Sequence, residues 1–211
     1  MSRTMDAVLF DYGGVFTDSP FAAIEKLGTS MGAAPGLLMK IIFGPYGDNT
    51  DHPWHQLERG EITLTAARET IISLGKEHGL DTDIYKFFTF MGGSGGIRES
   101  FVELVRDLKA AGYKTGMITN NVLEFREHWV KTLPIDELFD SVVDSSEVGL
   151  RKPDPAIFLH TLAELEVAPE RAIFLDDFEG NIIAARATGL HAILVNPEYH
   201  GAIEEVRRLT E

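Results

Sequence analysis

Five short runs of apolar residues constrain this chain more than any other feature. They are Ala7-Val8-Leu9-Phe10, Gly116-Met117-Ile118, Ser141-Val142-Val143, Ala172-Ile173-Phe174-Leu175 and Ala192-Ile193-Leu194-Val195. None alternates polar with apolar residues, as a strand with one wet face does. Each therefore reads as a parallel strand covered on both faces. Helical spacing lies between the runs. Phe101, Leu104, Val105 and Leu108 share one face, and Gly112 follows as a stop. Asp154-Pro155 is an N-cap with proline at the first helical position, ahead of Ile157, Phe158, Thr161, Leu162 and Leu165. Ile182, Ile183 and Ala185 form a third pattern, ended by Gly189. Strand alternating with helix predicts a doubly wound, parallel-sheet α/β core.

A second unit interrupts that core. Between the first strand and residue 97 no strand signal is convincing. Phe21, Ile24 and Leu27 suggest one helix, and Leu37, Leu38, Ile41 and Ile42 another. Thr63 can cap a third, carrying Leu64, Ala67, Ile71 and Leu74. The expected division is a core of residues 1–17 and 97–211 with a helical cap at 18–96. Gly92-Gly93-Ser94-Gly95-Gly96 would be the hinge at 92–96.

Composition removes several classes of function. There is no cysteine, so disulfides, thiolate zinc sites and thiol nucleophiles are excluded. Lys plus Arg number 19 against 33 Asp plus Glu, a net charge of −14, which disfavours nucleic acid and anionic membranes as partners. No apolar run approaches the roughly 20 residues of a membrane span. The N-terminus carries no signal-peptide pattern, so a cytoplasmic location is expected.

In an open α/β sheet, ligands bind beyond the carboxyl ends of the strands. The first strand delivers Asp11-Tyr12-Gly13-Gly14 there, the second Thr119-Asn120-Asn121 and the fourth Asp176-Asp177, while Arg151-Lys152-Pro153-Asp154 opens a helix after the third. Clustered carboxylates repel one another unless a cation joins them, and hard oxygen ligands suit Mg²⁺. A carboxylate can accept a phosphoryl group as a nucleophile. Lys152 is placed to offset charge on both, and Thr119 with nearby backbone amides to hold phosphate oxygens.

These four stretches resemble the motifs of the haloacid dehalogenase superfamily, in the branch with a helical cap after the first motif. The motifs stand in order as Asp11-x-Gly13-Gly14-Val15, Met117-Ile118-Thr119-Asn120, Lys152-Pro153-Asp154 and Phe174-Leu175-Asp176-Asp177 with Asn181. Each alone is weak; four in order over nearly the whole chain are specific. Within the branch, Ile118-Thr119-Asn120-Asn121, Lys152-Pro153-Asp154-Pro155 and Ile173-Phe174-Leu175-Asp176-Asp177 are most similar to the phosphatase-like N-terminal domain of soluble epoxide hydrolases. They also resemble the related domain of some acyl-CoA dehydrogenase fusions. Leu57 to Thr63 in the cap adds to that likeness.

The resemblance implies a modified Rossmann-like core and a Mg²⁺-dependent hydrolase of a small phosphorylated substrate. It implies Asp11 as nucleophile and metal ligand, and Thr119 with Asn120 as phosphoryl-binding groups. It implies Lys152 as the orienting cation, Asp177 as a direct metal ligand and Asp176 as a ligand through water. The Gly13 backbone carbonyl supplies a further metal ligand. Phosphatases of the family usually carry a second Asp where this chain has Gly13; it protonates the leaving oxygen and then activates water, work typically worth ~10²–10⁴ in rate. Either the leaving group needs little protonation, or another group (Asp18, a cap residue or the substrate itself) substitutes, or turnover is slow or absent. The dehalogenases of the family also lack that Asp, which makes a metal-independent 2-haloacid dehalogenase using Asp11 the alternative. The pair Asp176-Asp177 argues for the metal and hence for phosphoryl transfer.

Other patterns compete. Gly92-x-Ser94-x-Gly96 matches a nucleophile elbow, with Phe87 to Met91 as its strand and Asp176 and His200 in triad order. An elbow needs several strands before it, and one precedes Ser94, so a hinge is the better reading. His52 and His55 are spaced for one helix face but have no third ligand. Trp54, His55 and Arg59 are the cap's candidates for substrate contact, while Phe125 and Trp129 are expected to pack against the sheet.

Overall fold

The computed structural model describes residues 4–91 and 96–211. In chain order the elements are β1 (Ala7–Phe10), α1 (Pro20–Ser30), α2 (Leu37–Phe43), α3 (Pro53–Glu58), α4 (Leu64–Glu77), α5 (Ile84–Met91), α6 (Glu99–Ala110), β2 (Lys114–Thr119), α7 (Arg126–Trp129), α8 (Ile135–Leu138), β3 (Ser141–Asp144), α9 (Ser145–Val148), α10 (Pro155–Leu165), β4 (Ala172–Asp176), α11 (Glu179–Ala187), β5 (His191–Leu194) and α12 (His200–Thr210). The five strands form one parallel sheet in the order β3-β2-β1-β4-β5. The chain winds outward from β1 through β2 and β3, then returns to the other side of β1 for β4 and β5. The direction of winding reverses beside β1, and that is where such a sheet opens a crevice.

The apolar runs do what their lack of alternation requires. Successive β1 residues point to opposite faces. Val8 and Phe10 join one apolar cluster with Phe101, Val105 and Val206, from α6 and α12. Ala7 and Leu9 join the other with Phe158, Leu162, Ile182 and Ala185, from α10 and α11. All four β1 side chains are fully buried, each of the larger ones contributing roughly 1.5–3 kcal/mol. Helix ends also follow their local chemistry. The Asp154 carboxylate accepts the Ala156 N–H at 2.9 Å ahead of Pro155, and Thr63 caps α4 through the Ala66 N–H. Ile183 departs from expectation: it is 61% exposed, and α11 is held by Ile182 and Ala185 instead.

Helices α1–α5 lie between β1 and α6 and share an apolar cluster of their own, which includes Ile24, Ile42, Phe43, Leu57, Ile71 and Phe87. Two of these helices were not expected. α3 is only 6 residues long. α5 is the aromatic run Ile84–Met91, which the elbow reading took in part as a strand. Of the expected hinge at 92–96, residues 92–95, Ser94 among them, lie outside the described residues. No helix among the described residues is long and apolar enough to cross a membrane.

Candidate active site

Strand register sets the site. Phe10 pairs with Met117 on one side and Leu175 on the other, so Asp11 and Asp176 leave neighbouring strands at the same level. Lys152, from the β3–α10 segment, reaches between them. Its Nζ lies 2.8 Å from Asp11 Oδ1 and 2.7 Å from Asp176 Oδ2. Burial lowers the affinity of this amine for its proton, but the two carboxylates outweigh it and hold the lysine above its ordinary value. Asp176 is fully buried and fully engaged: it accepts the Phe178 N–H at 2.8 Å and the Asn181 side-chain amide at 3.0 and 3.1 Å.

One oxygen from each of Asp11, Asp176 and Asp177 lies within 4.8 Å of the others, the only such acidic or histidine cluster among the described residues. Three carboxylates share one ammonium, and the imbalance shows. Burial, partly offset by Lys152, and the neighbouring acids raise Asp11 well above the usual carboxylate range. Burial and Asp176 push Asp177 up to about 7. Asp177 Oδ2 is buried without a hydrogen-bond partner. An orphaned carboxylate oxygen in a group starved of positive charge is the arrangement a hard divalent cation satisfies. Gly14 leaves the space: its φ is +75°, and a Cβ there would sit 2.1 Å from the Asp177 carboxyl. Gly13 is different, since a Cβ would meet only Pro20, at 3.6 Å.

Asn120 ties β2 to the lysine. Its Oδ1 accepts the Lys152 N–H at 2.8 Å and its Nδ2 donates to the Lys152 carbonyl at 2.9 Å. The residue thus fixes the backbone that carries Lys152, and Nδ2 also reaches the Tyr46 hydroxyl at 3.3 Å. Thr119, 2% exposed, lines the cavity beside it.

That cavity encloses about 200 Å³ above the acids. Its floor is polar, with Asp11, Gly13, Thr119, Asn120, Asp177 and Asn181. Its walls are apolar and mostly from the helical unit: Phe21, Phe43, Tyr46, Trp54, Phe87, Phe88 and Met91, with Val122 and Phe125 from the core. Phe125 thus packs against Phe88, ring centroids 4.7 Å apart, and not on the sheet. Trp129 is buried and donates its indole N–H to Asp144.

Of the cap's candidates for substrate contact, Trp54 lines the cavity and the other two are placed elsewhere. His55 is fully buried, its Nδ1 facing the Thr50 N–H and hydroxyl, and burial with the nearby Arg151 pushes it down to about 3. The Arg59 guanidinium is committed to Glu61 at 2.7 and 2.9 Å, to Asn49 Oδ1 and to the Thr50 carbonyl. His52 caps α3 by accepting the Trp54 N–H, and neither histidine joins an acidic cluster. His200 opens α12 and stacks on Tyr199, while Asp176 is committed to Lys152 and Asn181.

Sequence reasoning missed a buried junction between cap and core. Arg151 and Glu58 are 0% and 2% exposed, and Arg151 Nε donates to Glu58 Oε2 at 2.8 Å. Glu58 Oε1 accepts the Tyr46 hydroxyl at 2.9 Å and the Trp54 indole N–H at 2.8 Å. The Arg151 guanidinium lies 4.8 Å from the Tyr46 ring centre and donates to the Asp48 carbonyl. Arg151 and Glu58 are 93 residues apart in sequence, and no local pattern announces such a contact.

With fold and geometry in place, comparison with known proteins gives the family. The family model for haloacid dehalogenase-like hydrolases matches residues 5–189, and the chain belongs to that family. It is 33% identical over 214 residues to mouse acyl-CoA dehydrogenase family member 10, covering 98% of this chain but 19% of that protein. It is 28% identical to mouse bifunctional epoxide hydrolase 2, covering 95% of this chain and 38% of that one. The chain therefore spans well under half the length of these two relatives. The sesquiterpene phosphatase astK of Aspergillus oryzae is 29% identical, with coverage of 90% and 89%. Among solved structures, a family member from Bacteroides thetaiotaomicron in complex with magnesium and inorganic phosphate superposes with a TM-score of 0.62 at 21% identity, over 92% of this chain and 96% of that one. An L-2-haloacid dehalogenase does so with 0.69 at 19%, over 97% and 99%. At these identities the two structures speak to the fold alone.

Proposed function

We propose that this protein is a magnesium-dependent phosphohydrolase of phosphate monoesters whose alcohol is apolar. The observation that carries this reading is the orphaned Asp177 oxygen within an acidic triad at the floor of an aromatic-walled cavity. Asp11, Asp177 and the Gly13 carbonyl would hold the ion, with Asp176 behind them. Bound there, the ion would supply positive charge to the phosphoryl oxygens.

The chain's own groups then have distinct work. Lys152 and the Tyr12 N–H both hold Asp11 Oδ1, which fixes the carboxylate and leaves Oδ2 to attack phosphorus. The ester bond breaks as the aspartyl-phosphate forms, and water then hydrolyses that intermediate. Thr119 contacts a phosphoryl oxygen. Asn120 and Asp176 keep Lys152 in register between the strands. The aromatic walls take the alcohol and exclude bulk water. The named activity of the Aspergillus relative, on a sesquiterpene phosphate, accords with such a cavity.

Gly13 is the feature that favours a dehalogenase, because halide leaves without a proton. The two readings separate in one experiment. Phosphate release is measured from alkyl, isoprenyl, sugar and acyl phosphates with Mg²⁺ and with EDTA, beside halide release from 2-haloacids. Mg²⁺-dependent phosphate release that Asp11→Asn abolishes is the expected result. Metal-independent halide release without phosphate release would replace this proposal by the dehalogenase. Neither activity from a folded chain would leave a binding protein.

A further inference from the structure

We infer that Tyr46 is the proton donor to the leaving oxygen, performing from the cap the work that Gly13 cannot. The inference rests on the phosphohydrolase reading and deepens it.

An in-line displacement by Asp11 places the leaving oxygen on the far side of phosphorus, toward the cap. Four described cavity residues from the cap carry polar side-chain atoms: Asp18, Tyr46, Trp54 and Glu58. Trp54 and Glu58 are bonded to each other, and Glu58 Oε2 is taken by Arg151. Asp18 is 58% exposed on its side chain and faces Arg98 at 3.8 Å, so its carboxylate is solvated and offset by a cation. Tyr46 carries the only cap hydroxyl on the cavity wall among the described residues. That hydroxyl stands beside Asn120, the neighbour of the phosphoryl-binding Thr119. Burial and the Glu58 charge hold the phenol well above its ordinary value, with Asp11 adding to the effect, so it keeps its proton until a stronger base forms beside it.

The proton balance closes within the site. As the phosphorus–oxygen bond to the alcohol breaks, the Tyr46 O–H turns from Glu58 to the departing oxygen and transfers its proton, so the product leaves as the neutral alcohol. The phenolate left behind accepts the Asn120 Nδ2 hydrogen bond and has the Arg151 guanidinium against its ring. It then takes a proton from the water that attacks the aspartyl-phosphate. Asp11 is released as carboxylate, phosphate departs and the phenol is restored. An alcohol leaving as alkoxide needs this proton; an aryl oxide with a pKa near neutrality does not.

The test compares the whole enzyme with Tyr46→Phe, which keeps the ring and its packing against Phe21 and Phe178. The substrates are an alkyl phosphate and p-nitrophenyl phosphate. The expected result is a loss of kcat of about 10²-fold or more on the alkyl ester, with the nitrophenyl ester changed less than about threefold. Gly13→Asp in the Tyr46→Phe background should then restore part of the alkyl activity. Equal losses on both esters would mean that Tyr46 only shapes the cavity and would overturn the assignment. So would an unchanged Tyr46→Phe, or the leaving-group-dependent loss appearing in Asp18→Asn instead. A wild-type enzyme inert toward both esters would overturn the phosphohydrolase reading itself, and the Tyr46 assignment with it.

Discussion

Removing the Glu58 charge should cost this protein more stability than any surface change. Arg151 is fully buried, with Nε on Glu58, Nη1 on the Asp48 carbonyl and Nη2 without a partner. Glu58→Gln leaves that guanidinium in the interior with no counter-charge. Breaking a buried pair from one side costs about 3–5 kcal/mol, whereas an exposed pair is worth about 0–1 kcal/mol. For a chain of 211 residues each kcal/mol moves Tm by roughly 2–4 °C, so Glu58→Gln should lower Tm by about 6–20 °C. Arg151→Met should cost a similar amount, since Glu58 then keeps only its Tyr46 and Trp54 donors. The double variant Glu58→Gln/Arg151→Met removes both charges and should be more stable than the sum of the singles implies, by about 2 kcal/mol or more. Urea unfolding followed by far-UV circular dichroism measures all three, taking the first transition if the cap unfolds separately. Additive single effects, or a Glu58→Gln loss below about 1 kcal/mol, would refute the argument that an isolated buried charge dominates this junction. KM should rise in both singles as well, because Glu58 anchors two residues of the cavity wall.

Four further outcomes are expected. Gly14→Ala should raise the half-saturating Mg²⁺ concentration sharply, because a Cβ at φ +75° meets the Asp177 carboxyl at 2.1 Å and backbone strain adds about 1–3 kcal/mol. Gly13→Ala, whose Cβ meets only Pro20, should change Tm by no more than a degree or two. Phe88→Ala should raise KM for isoprenyl esters about fivefold or more while leaving sugar phosphates unchanged, through roughly 1 kcal/mol of lost apolar contact; competition assays between the two substrates read this directly. His55 is held neutral down to about 3 when folded but takes its proton near 6.5 when unfolded. The unfolded chain therefore binds more protons between those values. Stability should fall as pH drops through that window, by up to about 1.4 kcal/mol per pH unit, and thermal melts of His55→Gln should show a flatter acid limb.

The core was legible because its signal is local. A strand buried on both faces must be apolar throughout, and Ala7-Val8-Leu9-Phe10 is. A carboxylate at the end of such a strand is conspicuous, so Asp11, Asp176 and Asp177 stand out before any contact is known. The cap was legible only where helical spacing is clean, as in α1, α2 and α4. α5 escaped because Phe87, Phe88 and Phe90 occupy successive faces of one helix, and an aromatic run satisfies strand and helix templates alike. His55 and Arg59 looked available because polar residues beside a pocket usually are. His55 instead faces Thr50, and Arg59 is absorbed by Glu61, Asn49 and Thr50. Asn120, expected among the phosphoryl-binding groups, lines the cavity, and its side-chain amide also grips the Lys152 backbone on both sides, a contact across 32 residues that a single sequence does not announce.

β1 and β2 are neighbours in the sheet, yet six helices, α1–α5 and then α6, intervene between them. Lengthening or rebuilding that excursion disturbs neither the pairing of the two strands nor the position of Asp11, and each doubling of a loop adds only about 0.6 kcal/mol of closure entropy. A descendant of this chain can therefore trade one roof for another while the carboxylate floor beneath it stays as it was.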